Sequence, residues 1–340
     1  VMHDDVNIAS CELLSSPETV RQELPVSAVL RQQIQQWRRE VVDIITGRDR
    51  RLLVIVGPCS VHNLAGALEY ARRLRDLRAR VADRYYLVMR AYFEKPRTTL
   101  GWKGLIYDPD LNGDYNLEKG IATARQLLLD LAAMGVPAAS EVLDPVMSVY
   151  LTDLLSWAGI GARTTESPTH RQLASGLPMA VGFKNGTDGG LKVALDALAT
   201  VSSAHSFIGV MRNGHTGVFR TRGNPYGHLV LRGGSAGPNY DAKGVAQARA
   251  MLAAAGLRQR LVVDCSHGNS NKDWQRQAAV FADVRAQVRR GENEGAIAGM
   301  MLESYLKAGQ QQVTPGKAVA PDMSATDACM SWEDTAELLR

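Results

Sequence analysis

An alternation repeated eight times along 340 residues restricts the fold most: a short apolar, often β-branched run, then a longer stretch with helical spacing. The runs occupy residues 52–56, 86–89, 138–142, 160–162, 179–183, 228–231, 261–263 and 296–302. Near-continuous apolarity suits strands covered on both faces, and parallel strands are covered that way because their crossover helices pack there. Between the runs, residues 65–80, 117–134, 191–200, 242–255 and 274–290 carry apolar side chains on one helical face, with Gly135 and Gly256 where two of these helices should stop. Eight βα units in one chain predict an α/β fold, a (β/α)8 TIM barrel. A doubly wound open sheet is the competitor, but no GxGxxG or Walker loop is present to support it.

Two additions decorate this single predicted domain of residues 1–340. Residues 1–50 form an N-terminal extension with a helix over 27–46, and residues 206–222 read as a β-hairpin around Asn213-Gly214, inserted between the fifth barrel helix and the sixth barrel strand. Such pieces point to regulation or to assembly, as a homodimer or homotetramer. A formal charge of +4 with no long Lys/Arg block argues against a nucleic-acid or membrane-surface partner. No stretch reaches transmembrane length and residues 1–20 lack a leader pattern, so a cytoplasmic location is expected. Four cysteines without CxxC pairs read as reduced thiols.

In a barrel, chemistry collects where strands end. Here the eight ends carry Cys59, Arg90, Glu141, Arg163, Lys184, Arg232, His267 and Glu303. A single Arg or Lys after a strand is ordinarily a solvated loop residue. Convergence changes the reading: with Lys95 and Arg97, six cations (Arg90, Lys95, Arg97, Arg163, Lys184 and Arg232) face one end, and they would repel one another without a polyanionic ligand. Cys59, His267 and Glu303, with Asp327 beyond the last strand, are different in kind. Taken singly, Cys59 suits a core position and His267 a hydrogen-bonded loop. Together, their mixed soft and hard donors suit an open catalytic Mn²⁺, Fe²⁺, Co²⁺ or Zn²⁺ better than a closed structural zinc.

Five stretches now match a known pattern: Gly57-Pro58-Cys59-Ser60-Val61-His62, Arg90-Ala91-Tyr92-Phe93-Glu94-Lys95-Pro96-Arg97-Thr98-Thr99, Gly161-Ala162-Arg163-Thr164-Thr165-Glu166-Ser167, Gly182-Phe183-Lys184-Asn185-Gly186-Thr187-Asp188 and Asp264-Cys265-Ser266-His267. The chain resembles, over nearly its whole length, class I 3-deoxy-D-arabino-heptulosonate-7-phosphate (DAHP) synthase of the shikimate pathway. The resemblance implies a metal-dependent aldol-type transferase joining phosphoenolpyruvate to erythrose 4-phosphate, on a TIM barrel with an N-terminal extension and an inserted hairpin. It implies that Cys59, His267, Glu303 and Asp327 hold the metal, that Arg90, Lys95, Arg163, Lys184 and Arg232 surround phosphoenolpyruvate, and that Arg97 and Thr98 grip the phosphate of erythrose 4-phosphate. Lys95, Glu141 and Lys184 are the candidate catalytic groups, with Lys95 protonating an alkoxide and Glu141 activating water.

Members are commonly inhibited by one aromatic amino acid. Asp4, Asp5, Ser175 and Gly209 lie in the matching segments, and Gly at the last position favours tyrosine. Departures are few: Tyr107 replaces a usual Asn, Ser235 stands where Lys is common, and one residue is added before Pro238. A sibling aldolase acting on arabinose 5-phosphate is opposed by the Lys-Pro-Arg-Thr stretch. A non-catalytic phosphometabolite sensor is opposed by the complete ligand set. Thiolate ligation also predicts that Cys59 is open to oxidants when metal-free.

Overall fold

The computed structural model describes residues 6–97 and 99–340. Eight strands close a parallel barrel: β1 (Leu52–Gly57), β2 (Tyr85–Arg90), β3 (Ala138–Glu141), β4 (Trp157–Ile160), β5 (Ala180–Lys184), β8 (Gly227–Leu231), β9 (Leu261–Asp264) and β10 (Ile297–Glu303). Between β5 and β8 comes an antiparallel hairpin, β6 (Ser206–Val210) and β7 (Thr216–Arg220). Neighbours in the barrel follow chain order, and β10 returns to pair with β1, setting Gly57 against Glu303.

Two helices, α1 (Pro17–Glu23) and α2 (Ala28–Thr46), precede the barrel. Its own helices follow the strands in turn: α3 (Leu64–Arg80), α4 (Leu117–Ala133), α5 (Pro145–Leu151), α6 (Pro168–Ala174), α7 (Lys192–Val201), α8 (Ala242–Ala254), α9 (Gln277–Arg289) and α10 (Trp332–Leu339). Gly135 and Gly256 take φ of +78° and +67° just past α4 and α8, the left-handed conformation that ends a helix. No helix among the described residues is long and apolar enough to cross a membrane.

Every residue of β1, β2 and β10 is buried, as the continuous apolar runs require. Trp157 of β4 lies against β5, where a Cβ at Gly182 would fall 2.4 Å from its ring. Its Nε1–H donates to His228 Nε2 at 3.1 Å, while His228 Nδ1 lies 3.1 Å from the Tyr226 carbonyl, which fixes the ring's tautomer. Burial pulls the His228 pKa down to about 4, so this histidine is neutral structure.

Most runs match to within a residue or so; the larger differences from the sequence reading are two boundaries and two short helices. The fourth strand is Trp157–Ile160, not 160–162, because the Gly161 carbonyl accepts from the Thr164 and Thr165 amides and turns the chain. The helix expected over 274–290 begins as a 3₁₀ turn, Trp274–Arg276, with Asp273 accepting from the Gln275 amide. The helices α5 and α6 have seven residues each, too few for periodicity to show, yet each opens with a capping side chain and proline: Asp144-Pro145 and Ser167-Pro168. The hairpin forms with Gly214 at φ +86°, and Phe207 stacks on Phe219 at a centroid distance of 5.5 Å.

Candidate active site

At the C-terminal strand ends lies a cleft of about 260 Å³, lined by all six of the cations named above and by Glu141, His267 and Asp327. Six positive groups at one mouth need compensation, and the structure divides them in two. Arg90, Lys95 and Lys184 are paired within the protein: Arg90 Nη2 lies 3.2 Å from Glu303 Oε1, Lys95 Nζ 2.8 Å from Asp327 Oδ2, and Lys184 Nζ 2.8 Å from Asp264 Oδ2. Arg97, Arg163 and Arg232 have no carboxylate partner among the described residues. The expectation that all six cations need a ligand for compensation is thus corrected: Arg90, Lys95 and Lys184 are compensated within the protein.

Arg90 is nearly inaccessible, at 3% exposure. Its guanidinium donates to the carbonyls of Pro58 (3.0 Å) and Cys59 (3.1 Å) and lies 3.7 Å from the centroid of Tyr92. Arg90 therefore fixes the loop that carries Cys59 as well as facing the cleft. Glu141 ends β3 beside Gly161, where a Cβ would fall 2.3 Å from Glu141 Oε1, so only glycine leaves that carboxylate its place.

Donor atoms of Cys59, Glu303 and Asp327 lie within 4.8 Å of one another. His267 borders them: its Nδ1 is 2.9 Å from Asp264 Oδ2, which leaves Nε2 free, 3.7 Å from Glu303 Oε1. A carboxylate holding one imidazole nitrogen so that the other faces an ion is the usual outer support of a metal-ligating histidine. Glu303 Oε1 is buried without a hydrogen-bond partner, since Arg90 is near it but not in line. Buried polar atoms are rarely left so, and a cation would supply what is missing. The donor set therefore fits a divalent ion. Burial, then the Glu303 charge, push the Cys59 thiol up to about 11, and a divalent ion held there would displace that proton. Cys59 is fully buried, so the expected exposure to oxidants is not met; a buried neutral thiol is inert.

Sequence reasoning missed several participants. Asp264 is fully buried and bridges Lys184 to His267, with Ser266 Oγ donating to its other oxygen at 2.6 Å. Its signal was available: a carboxylate at a strand end, three residues before the histidine. Gln277 pins Glu303 by its backbone, donating to the carbonyl at 3.1 Å and accepting from the amide at 2.8 Å. Nothing in sequence marks that role. Thr98, Asp4 and Asp5 lie outside the described residues.

A larger cavity, about 960 Å³, lies between the N-terminal helices and the hairpin. It lacks the convergent acid–base groups of the smaller cleft, so size does not locate the chemistry here. Ser175 lines it, as do Arg21, Arg38, Asp153, Phe207 and Phe219. Gly209 does not; a Cβ there would instead meet the Phe219 ring at 3.0 Å.

Tyr107 takes part in a buried acidic group beside the site, its hydroxyl 3.2 Å from Asp144 Oδ2 and 3.4 Å from Glu94 Oε1. Burial, then the Asp144 charge, push the Glu94 carboxyl up to about 8 from its ordinary 4.5. The folded chain thus binds more protons than the unfolded one between those values. The contribution is complete below the lower value and lost as pH rises through the upper one. Glu94→Gln, neutral throughout, is expected to flatten the decline of Tm from pH 6 to pH 9, by up to ~2.5 kcal/mol of stability; an unaltered slope would exclude Glu94 as its source.

A sequence model described as the DAHP synthetase I family matches residues 23–340. The chain belongs to the DAHP synthetase I family. A DAHP synthase is therefore the enzyme class, as the named relatives agree. The chain is 52% identical over 338 residues to "Phospho-2-dehydro-3-deoxyheptonate aldolase, Tyr-sensitive" of Salmonella typhimurium, covering 99% of this chain and 94% of that protein. It is 47% identical over 336 residues to the "Trp-sensitive" aldolase of Enterobacter agglomerans, covering 99% and 96%. The solved phospho-2-dehydro-3-deoxyheptonate aldolase of Francisella tularensis superposes with a TM-score of 0.95 at 42% identity, covering 98% of this chain and 96% of that one.

Proposed function

We propose that this DAHP synthase condenses phosphoenolpyruvate with erythrose 4-phosphate and water, releasing DAHP and inorganic phosphate, and so opens aromatic amino-acid biosynthesis. One observation carries the reading: three arginines with no carboxylate partner among the described residues line a cleft together with His267 and Asp327, whose donor atoms adjoin those of the buried Cys59 and Glu303. Arg163, Arg232 and Lys184 receive the phosphate and carboxylate of phosphoenolpyruvate, and arginine forks match both groups. Arg97, with Thr98, receives the second phosphate. When bound by Cys59, His267, Glu303 and Asp327, a divalent ion supplies Lewis acidity to the aldehyde oxygen.

C3 of phosphoenolpyruvate then forms a bond to the aldehyde carbon, and Lys95 delivers a proton to the oxygen that becomes alkoxide. The cation left at C2 takes up water, one proton of which passes to Glu141; the C–O bond to phosphate then breaks, the remaining hydroxyl proton leaves with the phosphate, and C2 becomes the ketone carbon. Positioning accounts for much of the rate, since fixed cations need no rearrangement as charge shifts. A phosphate-release assay tests this directly. Release is expected only with both substrates, lost with chelator and restored by Mn²⁺; arabinose 5-phosphate should support it at least roughly 100-fold less well. Equal turnover of the two sugars would sink the assignment.

The extension and hairpin serve regulation and assembly in this reading, within a cytoplasmic homodimer or homotetramer. The large cavity takes an aromatic amino acid, with Ser175 at its wall and Gly209 setting the room behind the Phe207–Phe219 pair. Tyrosine is the favoured inhibitor, and the Tyr-sensitive relatives support it. Titrated separately, tyrosine is expected to inhibit at concentrations about tenfold below phenylalanine or tryptophan, a difference of ~1.4 kcal/mol. Gly209→Ser should erode that preference without altering kcat, and preserved selectivity would remove Gly209 from the role.

A further inference from the structure

Two clefts meet at the donor set, and they differ in charge. The substrate cleft is walled by the six cations already named and by Lys272; with Arg90, Lys95 and Lys184 paired to carboxylates, Arg97, Arg163, Arg232 and Lys272 remain against Glu141 among the described residues. A second cleft of about 300 Å³ shares His267, Lys272 and Asp327 with it. There Lys272 is the lone cation among the described residues, facing Glu303 and Asp327, and the other polar groups (Ser266, Ser270, Gln277 and Gln310) are neutral. Glu303, whose Oε1 has no hydrogen-bond partner, lines the second cleft and not the first.

Repulsion scales with the product of charges, so each cation of the substrate cleft opposes a divalent ion twice as strongly as it attracts one charge of a phosphate. A wall that gathers anions is thereby a barrier to metal. We infer that the second cleft is the route by which the divalent ion reaches and leaves Cys59, His267, Glu303 and Asp327, separate from the route of the phosphorylated substrates. The inference rests on the metal reading given under the proposed function. Its consequence is that metal exchanges while the substrate cleft is occupied.

Co²⁺ binding to metal-free protein, followed by the rise of thiolate-to-cobalt absorption in a stopped-flow instrument, tests the route without turnover. Saturating phosphoenolpyruvate is expected to leave the rise as fast or faster. Gln310 is an exposed side chain of the second cleft, and Gln310→Lys should slow the rise roughly fivefold at low salt, with recovery at high salt. Thr99 is exposed at the substrate cleft, and Thr99→Lys should leave the rate within about twofold, since that wall is not the path. A rise blocked by phosphoenolpyruvate, or slowed by Thr99→Lys and not by Gln310→Lys, overturns the route alone. Absence of any thiolate-to-cobalt band overturns the metal reading and the route together.

Discussion

Lys95→Met is expected to lower kcat by about a thousandfold, near 4 kcal/mol of transition-state stabilisation, while the KM for phosphoenolpyruvate changes little. The ammonium lies 2.9 Å from Cys59 Sγ and 2.8 Å from Asp327 Oδ2, so it stands where the donor set meets the cleft. Burial pulls its pKa down, but Cys59, Asp327 and Glu303 outweigh that and hold it above the ordinary lysine value. Lys95 therefore keeps its proton across the working pH range, as a donor to a developing alkoxide must. Methionine keeps the length and removes the charge. Phosphoenolpyruvate retains Arg163, Lys184 and Arg232, which is why KM should hold. Steady-state kinetics decide it: an unchanged kcat would remove Lys95 from proton delivery.

Asp264→Asn is expected to destabilise the fold by about 3–5 kcal/mol, because it strands a buried lysine. Lys184 Nζ and His267 Nδ1 both converge on Asp264 Oδ2, and the carboxylate is fully buried. Burial pushes the Asp264 pKa up, but Lys184 and His267 prevail and hold it well below the ordinary range. A depressed carboxylate stabilises the fold above its unfolded pKa, about 4, and that contribution fades only as pH falls through the still lower folded value. At neutral pH the mutant thus meets the whole deficit. Loss of the support to His267 should also weaken metal binding about 10- to 100-fold. Thermal unfolding of metal-free protein and a Co²⁺ titration separate the two effects; wild-type values in both would refute the network's importance.

The barrel was legible in sequence because burial on both faces leaves a continuous apolar run for each strand. Where that signal blurred, the errors were local. Gly161 and Ala162 extend the apolarity of β4 past its last ladder bond, so the strand was placed too late. The seven-residue α5 and α6 span too few turns to show a period. Charged residues at strand ends were legible as well, since each follows an apolar run. Their internal pairings were not. Lys184 and Asp264 are 80 positions apart, on strands separated by β8, and only the closed barrel brings them together. Likewise, nothing in the order of residues says that Arg90 turns toward Glu303 and the carbonyls of Pro58 and Cys59.

The pairing of β1 with β10 has a consequence for how the protein is made. Gly57 sits opposite Glu303, and the Ser304 amide donates to the Gly57 carbonyl at 2.8 Å, so the earliest and latest barrel strands meet beside Cys59. A nascent chain cannot assemble all four donors until residue 327 has been synthesised and the ring has been zipped shut. An ion clasped there would act as a rivet across the joint formed last, and because it would bind only the shut form it would hold that joint against opening.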